Sequence, residues 1–489
     1  MERWQRLYVY GMGWAIFLFI LGELIWLPDP IRIGDWFWID EIDVIVYLIL
    51  LIPLLWIAGA VWGLRKSQRG DRAWAGSGYQ VRQQQWTRQV REGGFRWIVL
   101  LRGALIAASG LAGLVIALQP KLVQVSAPLL GTAWILACVD ITVAERERER
   151  AGKLPRRGLA VFLASAAALA SLFWPTPYLV TYPGLTVNMN RYALAEGGIT
   201  QGEIMGVLVF ERPAFPVDWL YARLFPHYSF ERIEKLGMSL GEYSSMVREM
   251  KADANALGSA VAFGQLGIGK GAASNGAKIL AVVKGSPAEG TLAAGDTIVG
   301  LNGQRVASAQ NLTGLLRAIR PGDEVTVELQ REGSAQSVKV KTKARDDDPR
   351  LAAFGIEAGD DIVLDLPLKV SFRQYLAHEG GPSHGAALAL TLMNQLTPGG
   401  ITYGHVVACT GTINPDGSIG RIGGIEQKTF TVERAGGEVF FVPAGQEREA
   451  QKGSGNNLRI VPVKTLQDIL DWLKAHPKSD ANRGVKLAI

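Results

Sequence analysis

The segment that decides the fold of this chain begins with Gly381-Pro-Ser-His-Gly385 and ends with Gly423-Gly-Ile-Glu-Gln-Lys428. The first motif has the G-x-S-x-G pattern, which places a serine on a sharp turn between a strand and a helix. An α/β-hydrolase would need an acid and then a histidine further along the chain. His405 follows the serine too closely for that role, and His476 lies in a polar tail. The α/β-hydrolase interpretation is therefore disfavoured.

The motifs between and after these two complete a longer ordered pattern. They are, in order, Thr410-Gly-Thr-Ile413, the turn Asn414-Pro-Asp-Gly417, Ile419-Gly-Arg-Ile-Gly-Gly424, Glu433-Arg-Ala-Gly436 and the strand Val439-Phe-Phe-Val-Pro443. Over residues 355–475 this set resembles the proteolytic domain of Lon-type proteases. In particular, it resembles the branch in which a membrane anchor and a PDZ domain precede that domain.

The resemblance implies an α+β protease domain with a serine–lysine dyad. Ser383 matches the family's nucleophile, Lys428 its general base, and Thr410 the threonine whose hydroxyl supports the lysine. The chain departs from the family at His384, where alanine is usual, and at Gly380, where some members carry an acid. His384 is expected to narrow a substrate pocket or to perturb the site.

A dyad of this kind depends on a lysine that is neutral at the working pH. A serine hydroxyl becomes a good nucleophile only when a base removes its proton, and the ordinary pKa of lysine is about 10.4. Desolvation lowers that pKa because burial disfavours the ammonium form. The residues expected to provide the apolar surround are Ile422, Ile425, Phe430 and Val432. The small residues of Gly385-Ala-Ala-Leu-Ala389 predict a helix after the serine, whose first N–H groups would stabilise an oxyanion.

Residues 264–345 have the pattern of a small β-rich domain. An alternating strand at Ala277–Val283 is followed by turn motifs, by a helix from about Ser308 to Ile319, and by a further strand within Pro321–Leu329. This order of elements resembles a bacterial PDZ domain. Such domains bind peptides by adding a strand to a sheet edge and by capturing the C-terminal carboxylate on backbone N–H groups.

Leu266, Gly267 and Ile268 are the residues predicted to form this carboxylate-binding loop. The overlapping segment Gly264–Lys270 also has the spacing of a phosphate-binding P-loop. Gly271 follows it, however, where a Ser or Thr must reach the magnesium ion. Nucleotide binding is therefore not expected.

The first third of the chain is apolar. The protein has 489 residues, of which 48% are hydrophobic, and its mean hydropathy is +0.14. Five apolar segments have a length close to the ~20 residues that a helix needs to cross a bilayer. They are 9–27, 42–64, 97–118, 124–144 and 158–175. Loops rich in Lys and Arg, at 65–96 and 145–157, alternate with poor ones, which predicts a cytoplasmic N-terminus and an extracytoplasmic soluble part. Glu23 and Asp140 are expected to hydrogen-bond between helices.

The sequence thus predicts a multi-domain, multi-pass membrane protein. Its parts are an α-helical membrane anchor of about five spans, a PDZ-like β-rich domain and an α+β Lon-type protease domain. The predicted boundaries are 1–177 for the anchor, 178–262 for an extracytoplasmic connecting region, 263–346 for the PDZ domain, 347–475 for the protease domain and 476–489 for a flexible tail. The connecting region contains a predicted strand at Met205–Phe210, and no chemistry is assigned to it.

The expected function is ATP-independent hydrolysis of unfolded or extended proteins, selected partly through their C-termini. Expected partners are protein or peptide substrates, the lipid bilayer and, as the resemblance implies, further copies in a ring. No cofactor or nucleotide is expected. No metal is expected either, because His378-Glu379 lacks a second histidine at the spacing of a zinc helix. The net charge of +6 comes from two basic loops and not from a basic stripe with aromatics, so nucleic-acid binding is also not expected.

Two other interpretations stay open. C-terminal processing proteases also carry a serine and a lysine after a PDZ domain, although their serine–lysine separation is shorter and they lack the Gly-Gly-x-x-x-Lys context. The non-enzyme alternative is a membrane scaffold with a catalytically silent domain, which binds protein C-termini through its PDZ domain. Loss of activity on mutating Ser383, with peptide binding kept, would distinguish the catalyst from the scaffold.

Overall fold

The computed structural model describes nine stretches of the chain. They are residues 1–27, 31–33, 36–38, 42–75, 85–148, 154–236, 240–345, 348–375 and 380–478.

The N-terminal region of these residues is helical. Its helices are α1 (Arg3–Glu23), α2 (Ile42–Val46), α3 (Leu51–Ala75), α4 (Gln85–Leu118), α5 (Val123–Arg148) and α6 (Arg156–Phe173), and a short hairpin of β1 (Arg32–Ile33) and β2 (Trp36–Phe37) precedes α2. Within the described residues, three stretches are long and apolar enough to cross a membrane, namely Tyr47–Gln68, Arg96–Leu118 and Val123–Arg146. This region is therefore suited to membrane association, and the count of five spans stays a prediction.

A buried ion pair connects the helices of this region. Arg102 on α4 donates from Nε to both carboxylate oxygens of Asp140 on α5 at 3.0 Å, and the Tyr8 hydroxyl on α1 donates to the same carboxylate at 2.8 Å. The guanidinium also lies 4.4 Å from the ring centre of Trp4. A carboxylate inside an apolar bundle needs such partners, because an unpaired charge there is very costly. Asp140 thus bonds between helices, as the sequence predicts.

Glu23 differs from that prediction. Helix α1 ends at Glu23, and the carboxylate accepts a hydrogen bond of 3.0 Å from Nε of Arg212 in the soluble part of the chain. The next residues, Ile25 and Trp26, are buried in a soluble-domain core. The predicted first span, 9–27, is therefore too long at its C-terminal end, because Ile25 and Trp26 face protein.

The segment that follows α6 contains both strands and helices. They are β3 (Tyr178–Asn188), α7 (Met189–Tyr192), β4 (Ala193–Ala195), β5 (Glu203–Pro213), α8 (Asp218–Leu224), β6 (Ser229–Arg232) and the long helix α9 (Leu240–Gln265). The predicted strand Met205–Phe210 lies within β5.

A β-rich domain follows α9. Its elements are β7 (Ala272–Val282), β8 (Thr297–Leu301), β9 (Gln304–Arg305), α10 (Ala309–Leu316), β10 (Glu324–Arg331), β11 (Ser334–Lys341), β12 (Lys343–Ala344), β13 (Ala352–Ala353) and β14 (Ile356–Leu364). The main sheet has the order β11-β10-β8-β7-β14, with β9 paired to β8. Because β14 pairs with β7 along its length, the domain extends beyond the predicted boundary at residue 346.

The rest of the chain completes the catalytic fold. Its elements are β15 (Val370–Phe372), α11 (Gly385–Leu396), β16 (Val406–Cys409), β17 (Thr412–Ile413), β18 (Ile419–Gly420), α12 (Ile425–Arg434), β19 (Val439–Pro443), α13 (Glu447–Lys452), β20 (Arg459–Val463) and α14 (Leu466–Ala475). A second sheet has the order β20-β19-β16-β5-β3-β6. β16 pairs parallel to β19 and β5, whereas β3 pairs antiparallel to β5 and β6.

This sheet corrects the predicted connecting region, 178–262. Strands β3, β5 and β6 all come from that region, and each belongs to the same sheet as β16. The region is therefore part of the catalytic fold, and the β-rich domain is inserted between its two halves. Sequence reasoning recognised the strand at Met205–Phe210 but not its partner, because the pairing of Ala408 with Met205 joins distant parts of the chain.

The two faces of the sheet carry different helices. Along β19, Val439 and Phe441 face a core that includes α11 and α14, while Phe440 and Val442 face a core that includes α12. Such alternation follows from the two-residue period of a strand. Helices α11 and α12 thus lie on opposite faces of one sheet.

Trp26 anchors the end of α1 to the second of these cores. Its side chain is 1% exposed, and its ring centre lies 5.9 Å from those of Phe225 and Phe430. We expect Trp26→Ala to lower the free energy of unfolding by ~3–5 kcal/mol, because it leaves a large cavity in a packed core. Denaturant unfolding of the full chain in detergent, followed by circular dichroism, measures this loss.

Trp174→Ala is the matched control for this prediction. Trp174 follows α6 and is 65% exposed, so its truncation should change the free energy of unfolding by no more than about 0.5 kcal/mol. Equal effects of the two substitutions would contradict the docking of α1 onto the catalytic fold.

Candidate active site

Ser383 lies on the short turn that precedes α11. Residues Pro382–His384 form one 3-10 turn, with proline at its start, where a missing N–H costs nothing. Gly385 follows, and a Cβ there would lie 3.2 Å from the backbone nitrogen and 2.9 Å from a side-chain carbon of Ile413. The second glycine of the G-x-S-x-G motif therefore lets the turn approach β17. Ser383 itself is half-buried.

Lys428 reaches the same point from the opposite face of the sheet. Gly424 precedes α12 with φ of 64°, a left-handed conformation that favours glycine. The backbone N–H of Lys428 donates to the Gly424 carbonyl at 3.0 Å, so the lysine lies in the first turn of the helix. Its side chain is 2% exposed.

The structure brings all three predicted catalytic side chains together. Nζ of Lys428 lies 2.8 Å from Oγ of Ser383 and 3.1 Å from Oγ1 of Thr410. Thr410 is buried and immediately follows β16, the strand that separates α11 from α12. The end of this strand is therefore where residues from both faces of the sheet can meet.

The hydrogen bonds around Thr410 determine which way the lysine points. The Thr410 hydroxyl donates to the carbonyl oxygen of Ser383 at 3.1 Å, so its proton is committed. Its oxygen must then accept from an N–H of Lys428. A neutral amine that donates to Thr410 can direct its lone pair toward the Ser383 hydroxyl. This is the arrangement that a general base requires.

Burial lowers the pKa of Lys428 to about 7, and desolvation of the ammonium is the cause. Ile425 and Val432 lie three residues before and four residues after Lys428, on the same face of α12, and both are fully buried. Ile422 and Phe430 pack against the same core. The apolar residues predicted around the lysine thus belong to the core into which α12 packs.

Two of the backbone amides predicted for the oxyanion are already engaged. The N–H of Gly385 donates to the Pro382 carbonyl, and the N–H of Ala386 donates to the Gly411 carbonyl at 3.1 Å. Donors to an oxyanion would therefore come from the turn before Gly385.

A small apolar cavity opens beside the serine turn. Its lining includes Met189, Val207, Leu208, Tyr375 and His384. His384 thus belongs to the lining of a cavity beside the serine turn, and its expected effect on a substrate pocket stays a prediction. Lys251 of α9 also reaches this cavity. The role of α9 here was missed, because an amphipathic helix gives no signal of a partner more than a hundred residues away.

The predicted carboxylate-binding loop has a different structural role. The N–H groups of Leu266, Gly267 and Ile268 donate to the carbonyls of Ala262, Gly264 and Phe263, at 3.2, 3.1 and 2.9 Å respectively. They satisfy the C-terminal end of α9, as the last turn of a helix requires. These amides are therefore not presented to a peptide in this structure, which corrects the sequence assignment.

A groove lies elsewhere in the same domain, between α10 and β14. Its volume is about 630 Å³, and its lining includes Thr313, Leu316, Phe354, Ile356 and Ala358. β14 is the terminal strand of its sheet. The segment Phe354-Gly-Ile356 enters β14 with Gly355 at φ of 79°. It repeats the apolar-Gly-apolar pattern of Leu266-Gly-Ile268, and this repeat is the signal that sequence reasoning overlooked.

Metal binding has no support among the residues described. Within them, no group of three or more His, Cys, Asp or Glu side chains is placed to hold a metal ion. His378 and Glu379, which were considered for zinc, lie outside the described residues.

Comparison with known proteins identifies both domains. Residues 376–475 match the family model of the Lon protease (S16) C-terminal proteolytic domain, and residues 264–342 match the PDZ domain model. A PDZ domain of the SdrC-like protein from Listeria innocua, solved by crystallography, is 26% identical, with 17% of this chain and 92% of that chain covered and a TM-score of 0.16.

The curated relatives are Lon proteases. That of Neorickettsia sennetsu is 32% identical over 98 residues, which are 19% of this chain and 12% of the relative. That of Mycoplasma genitalium is 38% identical over 96 residues, which are 19% and 12%. Lon protease 1 of Myxococcus xanthus is 32% identical over 124 residues, which are 25% and 15%. This chain therefore spans only a small part of the length of these relatives. It carries, after an apolar helical region, a PDZ domain and the proteolytic domain of Lon-type proteases.

Proposed function

We propose that this chain is an ATP-independent serine endopeptidase that hydrolyses unfolded or extended proteins through a Ser383–Lys428 dyad. The observation that carries the proposal is the 2.8 Å contact between Nζ of a buried Lys428 and Oγ of Ser383. Because Ser383 is half-buried and Lys428 is buried, an extended chain can bring a peptide bond to the dyad more readily than a folded protein can.

The reaction follows from this geometry. Neutral Lys428 takes the proton of the Ser383 hydroxyl, and Oγ attacks the carbonyl carbon of the scissile bond. Backbone amides of the turn before Gly385 stabilise the oxyanion. The tetrahedral intermediate then collapses, the Lys428 ammonium gives its proton to the leaving amine, and an acyl-enzyme remains on Ser383. Lys428 next takes a proton from water, whose attack releases the acid and restores the serine.

The proposed membrane topology puts the PDZ and protease domains on the extracytoplasmic side. The basic segments at 65–96 and 145–157, which include helix ends as well as the connections between helices, favour this orientation. The structure adds support, since α1 ends beside Arg212 of β5, and α6 ends shortly before β3. Both helices therefore point their C-terminal ends at the catalytic fold. This is the arrangement expected if each crosses the bilayer from the cytoplasmic side.

The PDZ domain is proposed to select substrates by their C-termini, with the α10–β14 groove as its binding site. A peptide would add to the open edge of β14, and its carboxylate would face the segment Phe354-Gly-Ile356. Three basic side chains, those of Arg317, Lys343 and Arg345, line the same groove and favour an acidic group there. This assignment replaces the loop at Leu266–Ile268, whose amides cap α9.

The dyad predicts a specific dependence on pH. Because burial holds the pKa of Lys428 at about 7, the neutral base predominates above that pH. The rate of cleavage of an unfolded protein without nucleotide should rise about tenfold per pH unit below pH 7 and level off above about pH 8.

Thr410→Val should lower kcat about tenfold, because the lysine loses a hydrogen bond that orients it.

Ser383→Ala and Lys428→Ala are the controls for this measurement, and both should abolish cleavage at every pH. A rate that stays flat from pH 5 upward, or that survives in Lys428→Ala, would rule out the dyad. A requirement for ATP in the purified wild type would instead contradict nucleotide independence.

The groove assignment predicts where a bulky residue blocks peptide binding. Thr313 is exposed on α10 and lines the groove, so Thr313→Trp should weaken binding of a fluorescent peptide at least tenfold. Lys270→Trp, beside the corrected loop, should leave binding unchanged. Fluorescence anisotropy in a Ser383→Ala background measures both without cleavage, and an amidated peptide tests the carboxylate. The reverse pattern would return the site to Leu266–Ile268.

The topology predicts which cysteines a membrane-impermeant maleimide labels in sealed, right-side-out vesicles. The native Cys138 and Cys409 are buried and should not be labelled. Lys284→Cys, on the exposed surface of the PDZ domain, should label at once. Arg65→Cys, an exposed position on α3 at the start of the predicted basic segment 65–96, should label only after permeabilisation. Labelling in the opposite order would place the protease domain in the cytoplasm.

A further inference from the structure

His384, the residue after the nucleophile, is held at both of its ring nitrogens. Nδ1 lies 2.8 Å from the carbonyl oxygen of Gly381, and Nε2 lies 2.7 Å from the side-chain amide of Asn255 on α9. The ring is 9% exposed, and Tyr192 packs edge-on against it, with ring centres 5.5 Å apart. Such an arrangement leaves the imidazole little freedom to rotate.

The chemistry of these partners fixes the protonation of the ring. Burial lowers the pKa of His384 to about 4, and the positive charge of Lys251 acts in the same direction. The ring is therefore neutral at physiological pH. Since the Gly381 carbonyl can only accept, Nδ1 carries the proton and donates to it.

Nε2 of the neutral ring is then an acceptor, and the group facing it must be a donor. We assign the NH₂ group of Asn255 to this position, since the two ends of a side-chain amide are distinguished by their hydrogen bonds. The Tyr192 hydroxyl oxygen lies 3.1 Å from the same Asn255 atom, so under this assignment the second N–H of that group donates to it. Under this assignment, both N–H groups of the Asn255 amide have an acceptor, namely Nε2 of His384 and the Tyr192 hydroxyl oxygen.

Helix α9 also contacts the far side of the serine turn. Gly258 lies three residues after Asn255, and a Cβ there would lie 3.1 Å from the Gly385 carbonyl oxygen and 3.3 Å from a side-chain carbon of Leu388. The helix therefore approaches the turn as closely as backbone packing allows. It touches the turn after Ser383 at Gly385 and, through His384, before Ser383 at Gly381.

We propose that Asn255 and His384 are positioning residues, which hold the Ser383 turn against α9 so that Oγ stays aligned with Lys428. The inference rests on the proposed serine-protease function. Neither residue takes part in proton transfer, because the ring nitrogens of His384 are used by Gly381 and Asn255. Their effect is on the placement of the nucleophile, where an error of about 1 Å is enough to cost two orders of magnitude in rate.

The test uses the full chain in detergent, with Asn255→Ala, His384→Ala and the double variant. Two rates are measured, namely labelling of Ser383 by a fluorophosphonate probe and cleavage of fluorescein-labelled casein. Each single variant should lower the labelling rate and kcat at least tenfold, while KM stays within twofold. The double variant should be no slower than His384→Ala, because both changes break one chain of contacts.

Two further variants separate positioning from general damage to the fold. His384→Asn retains a donor at the place of Nδ1 but loses the contact with Asn255, so its labelling rate and kcat should match those of Asn255→Ala. Asp253→Ala changes an exposed residue on the same helix and should behave as wild type. Multiplicative losses in the double variant, unchanged kcat in Asn255→Ala, or a rise in KM alone would overturn the proposal.

Failure of the proposed function would be recognised separately. If wild type is labelled no faster than Ser383→Ala, Ser383 is not an activated nucleophile, and the serine-protease proposal fails. The thermal unfolding midpoints of wild type, Asn255→Ala, His384→Ala and the double variant then still measure the energetic coupling between Asn255 and His384. Additive shifts would show that Asn255 and His384 do not act together, and non-additive shifts would support their contact.

Discussion

The burial of Lys428 is the constraint on which the rest of the active site depends. A lysine is a useful base only if water is kept from its ammonium form, and burial alone lowers its pKa here. Both of its hydroxyl partners come from elsewhere in the chain, 18 residues away at Thr410 and 45 residues away at Ser383. No local motif can therefore build this environment. It exists only when α12 is packed on one face of the sheet and α11 on the other.

The same constraint explains why distant segments converge on α12. Trp26, which follows α1, packs against Phe430, and the guanidinium of Arg434 lies 5.6 Å from the Trp26 ring centre. Glu23 and Asp218 both pair with Arg212 on β5. The apolar N-terminal region is thus joined to the helix that carries the general base. Removing that region, as in a soluble fragment from residue 178, would expose part of the core behind Lys428.

Sequence reasoning succeeded where the signal is local and failed where it is not. The motifs at Ser383, Thr410 and Lys428 have fixed spacings, and their side chains are found in contact. The sheet partners were missed, because alternation in β5 predicts a strand but not that β16 pairs with it. The boundary at Ile25–Trp26 was misplaced, since an apolar residue reads the same whether it faces lipid or a protein core. The Asn255–His384 contact spans 129 residues and has no sequence signature.

The choice of hydroxyls around Lys428 has a consequence for catalysis. A carboxylate within hydrogen-bond distance would orient the amine equally well, but it would stabilise the ammonium and raise the pKa. Thr410 and Ser383 orient the amine without adding charge. His384 meets the same requirement from the other side, because burial and the charge of Lys251 keep its ring neutral. A site built from neutral partners can hold its lysine in place and still leave it a base. The contacts described for Lys428 include no counter-charge, so the groups that position the nucleophile do not raise the pKa of the lysine.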